Sequence, residues 1–186
     1  QQAASELAAR ISAEMHCLAM EGSQFDIVLT ALEQPNAYGA ESVEYHVAAN
    51  AGTPLRPLAK VASGGELSRI SLALQVVTSE VAAVPTLIFD EVDVGIGGRV
   101  AEVVGKLLKR LGDRYQVLCI THLPQVAARG DVQWQVAKSG EGETGSVVSR
   151  IRPLNSKERV EEIARMLGGE QITPTTRRHA KEMLVG

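Results

Sequence analysis

The spacing of apolar residues predicts a mixed α/β chain that opens with a helix and a hairpin. Residues 1–22 are rich in Ala, Glu and Leu, and their apolar positions recur every three or four residues, which predicts a helix. Residues 25–29 are apolar except for Asp26, and residues 42–49 alternate between apolar and polar side chains, which predicts two strands. Residues 34–39 are rich in turn formers, so we expect an antiparallel hairpin with one solvent-facing side.

The middle of the chain has the pattern of a β-α-β unit. Residues 66–81 have helical spacing without an internal Gly or Pro. Residues 86–89 and 116–120 are mostly apolar runs without alternation, which is typical of strands buried on both faces of a sheet. Residues 100–111 between them form one apolar stripe, which predicts a helix. The two strands should therefore be parallel neighbours joined by a right-handed crossover.

The last third of the chain predicts a second hairpin and two closing helices. Residues 132–136 alternate, and residues 146–151 should pair with them across a turn at residues 139–145. Helical spacing returns at residues 158–167 and again at residues 175–184. The order of elements therefore favours one α/β core with two antiparallel additions.

Composition limits the class of protein. A chain of 186 residues with 45% hydrophobic and 22% charged residues is long enough for one core and too apolar to be disordered. No run approaches the roughly 18 apolar residues of a membrane span, and no secretory leader is present, so we expect a cytoplasmic location and no membrane partner. The cysteines, Cys17 and Cys119, form no C-x-x-C pair, and we expect each to be a small buried side chain.

Two glycines stand at the start of the helix predicted over residues 66–81. Ser63 and Glu66 match the S-x-x-E capping box, which would make the segment a helix cap and nothing more. A capping box does not require Gly64 and Gly65, each of which costs about 1 kcal/mol against Ala inside a helix. Bare N–H groups at a helix N-terminus form an anion site, so a cap and a phosphate contact both remain open.

Polar residues follow both apolar strands where each strand ends. Asp90 and Glu91 come directly after residues 86–89, in the place where open α/β sheets bind ligands. One carboxylate could hold Mg²⁺ while the other activates a water, and the alternative is a pair of turn acids. His122 follows the neighbouring strand and should share the same edge, because parallel neighbours present their carboxyl ends together.

A phosphate-cradling loop of the form G-x-x-x-x-G-K-[ST] is missing from the sequence. The Gly105-Lys106 pair is followed by Leu107 and lies inside a predicted helix. The loop from Asp93 to Gly98, which also carries Gly95 and Gly97, is by itself typical of a plain connection between a strand and a helix. The chain therefore carries candidate signature, metal and sensor residues without a complete phosphate site.

In order and spacing, these motifs resemble those of ABC-type ATPases. Residues 63–66 resemble the signature motif, and residues 87–91 resemble the Walker B strand. Residues 95–98 fall where the D-loop lies, and Thr121-His122 resembles the switch histidine. The resemblance implies an α/β, ABC-type P-loop ATPase head, here its C-terminal lobe, with a mainly parallel core sheet flanked by helices, antiparallel strands and the base of a coiled-coil arm.

Longer strings identify the branch of this family. Residues 58–69, 119–127 and 159–169 are similar to the C-terminal half of the head of SMC-like proteins, in the branch that acts in recombinational repair of DNA double-strand breaks. The resemblance implies that residues 1–22 are the base of the returning coiled-coil helix and that residues 23–186 are the C-terminal portion of the head.

The resemblance also implies the ligands and partners of this chain. In the family, two heads sandwich two ATP molecules between the Walker loops of one head and the signature motif of the other. Ser63, Gly64, Gly65 and Glu66 would then meet the γ-phosphate of the ATP on the opposite head. The Walker A loop and the Q-loop would lie on an N-terminal half of the head outside this chain, so the chain alone would be nearly inactive. DNA would be a further partner.

The acidic residues and the histidine take their expected roles from the same resemblance. Asp90 would hold Mg²⁺ through water, Glu91 would activate the attacking water, and His122 would contact the γ-phosphate. Gly97 stands where many relatives carry the D-loop aspartate, which leaves Asp93 as the nearest acidic residue. Two alternatives stay open: the head of another ABC-type ATPase, chromosome-organising or transport-coupled, and a non-hydrolysing interaction module.

Overall fold

The computed structural model describes residues 1–60, 64–79, 84–90, 92–139, 148–168 and 171–185. In those ranges the helices are α1 (Gln2–Cys17), α2 (Gly64–Ser79), α3 (Gly98–Leu111), α4 (Pro124–Ala127), α5 (Ser156–Gly168) and α6 (Pro174–Val185). The strands are β1 (Gln24–Asn36), β2 (Gly39–Ala48), β3 (Arg56–Pro57), β4 (Thr86–Phe89), β5 (Gln116–Cys119), β6 (Trp134–Ser139) and β7 (Val148–Pro153), and a 3-10 turn spans Leu58–Lys60. The predicted succession of helices and strands is confirmed.

The N-terminal helix and hairpin differ from the prediction in length. α1 ends at Cys17, five positions before Gly22, because the chain turns at Ala19, a non-glycine residue with φ of 56°. β1 and β2 pair antiparallel, as predicted, and β3 adds a short third strand beside β2 that the sequence pattern does not predict. The predicted arrangement of one buried and one solvent-facing side is found only near the base of the hairpin, around Phe25 and Val47. Most of the distal hairpin is exposed on both faces.

One main core joins α1, α2 and α3 to the inner face of β4. α2 contributes Ile70, Leu72, Ala73, Val76 and Val77, and α3 contributes Ala101, Val104, Leu107, Leu108 and Leu111. A smaller cluster holds α5 and α6 against the end of α4, through Ala128, Ile163, Ala164 and Ala180. Burial of these helical stripes confirms the periodicity from which the helices are predicted.

The β4-α3-β5 unit forms the predicted parallel pair, with Thr86 opposite Gln116 and Phe89 opposite Cys119. The expectation that both faces of these strands are buried is wrong. Ile88 and Ile120 are 68% and 60% exposed, whereas Phe89, on the other face, is buried. Successive side chains of a strand point to opposite faces, and within the described residues the main core covers only one of them.

The C-terminal third follows the prediction closely. β6 and β7 pair antiparallel, from Trp134 opposite Pro153 to Ser139 opposite Val148. Most of the predicted turn, residues 140–145, lies outside the described residues. α5 and α6 begin and end within about two residues of their predicted limits. Across the ranges that the structure describes, each helix is too short or too polar to cross a bilayer.

Cys17 is exposed, which contradicts the expectation that it is a buried side chain. α1 buries Ile11 and Met15, with Leu18 just after the helix on the same side. Cys17 follows Met15 by two positions, or about 200° of helix rotation, and therefore lies on the opposite side of α1.

Candidate functional site

The predicted site residues lie on three neighbouring segments: the first turn of α2, the loop after β4, and the residues after β5. Gly64, Gly65 and Glu66 form the first turn of α2, so the helix begins two positions before the sequence pattern predicts. Ser63 and Glu91 lie outside the described residues, and their roles stay predictions.

The two glycines of α2 have different surroundings. A Cβ placed on Gly65 would lie 3.1 Å from the carbonyl oxygen of Gly95, and a Cβ on Gly95 would lie 3.1 Å from Cα of Gly65. Gly95 also has φ of 71°, a conformation that favours glycine. A Cβ on Gly64 would meet no described atom within 4 Å. Gly64 therefore leaves backbone open, whereas Gly65 allows the loop after β4 to pack directly on α2.

Alanine substitutions should separate these two roles. In the complete protein, we expect Gly65→Ala to be destabilising by about 1–3 kcal/mol, because the new methyl group would lie 3.1 Å from the Gly95 carbonyl oxygen and the loop backbone would have to move to relieve this tight contact. Gly64→Ala should be neutral or stabilising by up to about 1 kcal/mol, because the site is open and alanine favours the helix. Thermal unfolding of the two variants measures the difference, and equal shifts of the melting temperature would contradict the packing role of Gly65.

Asp93 connects the loop after β4 to the residues after β5. The residue is buried, and its Oδ2 atom accepts hydrogen bonds from the Thr121 hydroxyl at 2.5 Å and from the His122 backbone N–H at 3.0 Å. Nδ1 of His122 lies 3.3 Å from the same oxygen. The Thr121 hydroxyl oxygen in turn accepts from the Leu123 N–H at 3.0 Å. The sequence places Asp90, Glu91 and His122 at one edge but does not reveal the direct contact of His122 with Asp93.

Asp90 is exposed and follows β4 directly. The Ile120 N–H donates to the Phe89 carbonyl at 2.9 Å, which continues the pairing beyond the strands and brings Asp90 to the same edge as Thr121. Within the described ranges, no three His, Cys, Asp or Glu side chains are grouped so that they could hold a metal ion. A single exposed carboxylate does suit Mg²⁺, which is commonly bound through one or two carboxylates, waters and substrate phosphates.

Gly97 and Gly98 lead the loop into α3. Gly97 has φ of −170°, an extended conformation open to any residue, and a Cβ there would meet no described atom within 4 Å. Gly98 has φ of 51°, in the region that favours glycine. The backbone therefore does not require glycine at position 97, where the resembling family often has aspartate.

Arg69 is a residue of this region that sequence reasoning missed. Its Nε donates to the Gly65 carbonyl at 3.1 Å, and its Nη1 donates to the Ala19 carbonyl at 3.3 Å. The sequence signal is weak, because an arginine four positions after a glycine on a helix is common. The contact joins the first turn of α2 to the turn that follows α1.

Cys119, the last residue of β5, lies beside the acidic residues of the site. Burial raises the pKa of the Cys119 thiol to about 12, and the carboxylates of Asp93 and Asp90 add to the shift. The thiolate is the reactive form of cysteine, so this thiol is inert near neutral pH.

Alkylation kinetics should therefore distinguish the two cysteines. We expect iodoacetamide at pH 8 to modify exposed Cys17 first and Cys119 at least about 100-fold more slowly, because a raised pKa and burial both reduce thiolate attack. Peptide mass mapping over time gives the two rates, with a Cys17→Ser variant to isolate Cys119. Similar rates at both positions would contradict the burial of Cys119.

Relatives of known name match nearly the whole chain. It is 50% identical over 186 residues to DNA repair protein RecN of Vibrio cholerae, covering 98% of this chain and 33% of the relative. It is 42% identical over 196 residues to DNA repair protein RecN of Bacillus subtilis, covering 97% of this chain and 34% of the relative. The chain thus spans about a third of the length of these curated relatives. No family model matches it.

Solved structures show the same fold in SMC heads. The Smc head domain with a coiled coil and joint from Pyrococcus yayanosii covers 86% of this chain, with a TM-score of 0.67 and 22% identity, and the match spans 28% of that structure. The Smc head from Pyrococcus furiosus bound to the C-terminal domain of ScpA covers 88% of this chain and 38% of its own, with a TM-score of 0.63 and 20% identity. The fold is therefore that of part of an SMC head.

Proposed function

Because this chain belongs to the RecN family and corresponds to a C-terminal part of its relatives, we propose that it is part of an ATP-binding and ATP-hydrolysing SMC-like protein. The complete protein would act in recombinational repair of DNA double-strand breaks in the bacterial cytoplasm, at the nucleoid. Residues 1–22 are assigned to the base of the coiled-coil arm and residues 23–186 to the C-terminal portion of the head.

One observation carries this proposal: polar residues with three separate predicted roles converge at the carboxyl edge of the β4-β5 pair. The loop after β4 contacts the first turn of α2 through Gly95 and Gly65, and it contacts the residues after β5 through Asp93. Phosphate-binding edges in open α/β sheets have this composition, with a helix N-terminus beside strand ends. Ordinary caps and turns would not require the loop to be held on both sides.

ATP and Mg²⁺ fit the residues at this edge. Asp90 would hold the ion, which would neutralise charge on the phosphates. Glu91 would accept a proton from the attacking water, and the exposed imidazole of His122 would contact the γ-phosphate. The open backbone of Gly64, with the dipole of α2 behind it, would receive the γ-phosphate of an ATP held by a second head. Ser63, which precedes α2 in the sequence, would contribute to the same contact.

The exposed face of the β4-β5 pair supports the proposal that another part of the same head packs against it. Ile88, Leu118 and Ile120 form an apolar strip on the face that the main core leaves uncovered. Large exposed apolar surfaces mark interfaces, and two strands rarely form a stable sheet alone. An N-terminal half that carries the Walker A loop and the Q-loop would cover this strip. A second head and DNA would be the other partners.

ATP hydrolysis by the complete protein, compared with this chain alone, tests the proposal. We expect Mg²⁺-dependent phosphate release from the complete protein and almost none from the isolated chain, which lacks a phosphate cradle. Asp90→Asn in the complete protein should reduce turnover, whereas Asp113→Asn, at an exposed aspartate beyond the end of α3, should not. An inactive complete protein, or strong hydrolysis by the isolated chain, would contradict the proposal.

A further inference from the structure

Burying a carboxylate costs free energy unless hydrogen-bond donors surround it, and Oδ2 of Asp93 has three polar groups within 3.3 Å. The hydroxyl of Thr121 and the backbone N–H of His122 donate to Oδ2, and Nδ1 of His122 lies at ion-pairing distance from it. All three groups belong to two consecutive residues after β5. Such convergence satisfies the buried charge, and it also fixes those two residues against the loop after β4.

The contact is asymmetric about the imidazole ring. Nδ1 lies beside a side chain that is 3% exposed, whereas the histidine side chain itself is 70% exposed. Nε2 is on the opposite edge of the ring from Nδ1, which leaves it accessible. A partner at one ring nitrogen sets the proton position and orientation of the other.

From this geometry we propose that Asp93 is a positioning residue for ATP turnover: it holds the backbone and the Nδ1 edge of His122 so that Nε2 faces the nucleotide. Asp93 itself touches neither ATP nor the attacking water in this arrangement. The inference rests on the proposed ATPase function. It gives Asp93 a role within its own head, independent of contacts with a second head.

The role predicts a specific kinetic pattern in the complete protein. Asp93→Asn should lower kcat by about 10- to 100-fold, the range typical of residues that orient a functional histidine, with little change in KM for ATP. The double variant Asp93→Asn with His122→Gln should be no slower than His122→Gln alone, to within about twofold, because both changes remove the same interaction. Asp113→Asn is the matched control and should leave kcat unchanged.

Two kinetic results would overturn the role. One is an Asp93→Asn variant with the kcat of the unmodified protein, and the other is a double variant whose loss is the product of the two single losses. The first result overturns the role even if KM rises, since a rise in KM with unchanged kcat indicates altered binding rather than positioning.

Nuclear magnetic resonance of ¹⁵N-labelled histidine side chains gives an answer even if Asp93→Asn fails to fold or the complete protein hydrolyses no ATP. The chain has four histidines, and His122→Gln assigns the signal of interest. We expect a protonated Nδ1 at His122, and in a folded Asp93→Asn variant a shift toward protonation at Nε2. A neutral ring protonated only at Nε2 in the unmodified protein would overturn the inference. Absent hydrolysis together with a protonated Nδ1 would instead contradict the proposed function alone.

Discussion

Replacing Glu91 by glutamine in the complete protein is expected to reduce ATP turnover by about 100- to 10,000-fold while ATP binding persists. An amide has nearly the size of the carboxylate but cannot take a proton from the attacking water. Binding should persist because Asp90 and the phosphate contacts are unchanged. Steady-state phosphate release gives the turnover, and equilibrium titration with a fluorescent ATP analogue gives the affinity.

Glu102→Gln is the matched control for Glu91. Glu102 lies on the surface of α3, one turn before Lys106, with which it pairs at 2.7 Å. Removing its charge should leave turnover unchanged, because exposed pairs of this kind contribute little. If Glu91→Gln hydrolyses ATP as fast as the control, Glu91 is not the base, and another acceptor for the proton must be sought at the edge of β4.

Ser63→Arg should weaken ATP-driven pairing of heads by at least about 30-fold, the effect of losing a residue central to an interface. Position 63 immediately precedes α2, next to Gly64, whose backbone is open. A long cationic side chain would occupy the space that a phosphate needs and would remove the serine hydroxyl. Light scattering in the Glu91→Gln background measures pairing, because ATP is not consumed there.

Ser71→Arg provides the comparison for that experiment. Ser71 is exposed on α2, two turns beyond the predicted signature motif, so the variant adds the same charge to the same helix. We expect it to pair like the unmodified protein. If Ser63→Arg pairs equally well with ATP, the first turn of α2 does not receive phosphate from a second head, and the capping-box interpretation would be preferred.

Local periodicity is enough to predict most elements of the fold, because the main helices bury regular stripes of side chains. The predictions fail where the burial of a strand depends on distant parts of the protein, or where the end of a helix depends on the local backbone conformation. The burial of β4 and β5 is overestimated from the sequence, since the apolar residue Ile88 faces away from the core into a region that the described residues do not fill. The end of α1 was misplaced because Ala19, not Gly22, takes the first left-handed conformation, and no composition rule favours alanine there.

The candidate site was predictable as a set of residues at one edge, but not as a set of contacts. Parallel strands bring Asp90 and His122 together by a general rule. The contact between Asp93 and His122 depends on how a loop folds back over 29 positions of sequence, and the contact of Gly65 with Gly95 spans 30. The resemblance assigns both glycines of α2 to phosphate, and the sequence does not predict that Gly65 also packs against Gly95.

The contact of Gly65 with Gly95 also has a mechanical consequence. Most packed elements can absorb a small displacement when side chains change rotamer, but two facing glycines have no side chain to change. A displacement of the loop after β4 is therefore transmitted directly to the first turn of α2. Arg69 bonds that turn to the Ala19 carbonyl, so the strain would arrive at the end of α1. A displacement of a few tenths of an ångström at the edge of the sheet is therefore expected to shift the C-terminal end of α1.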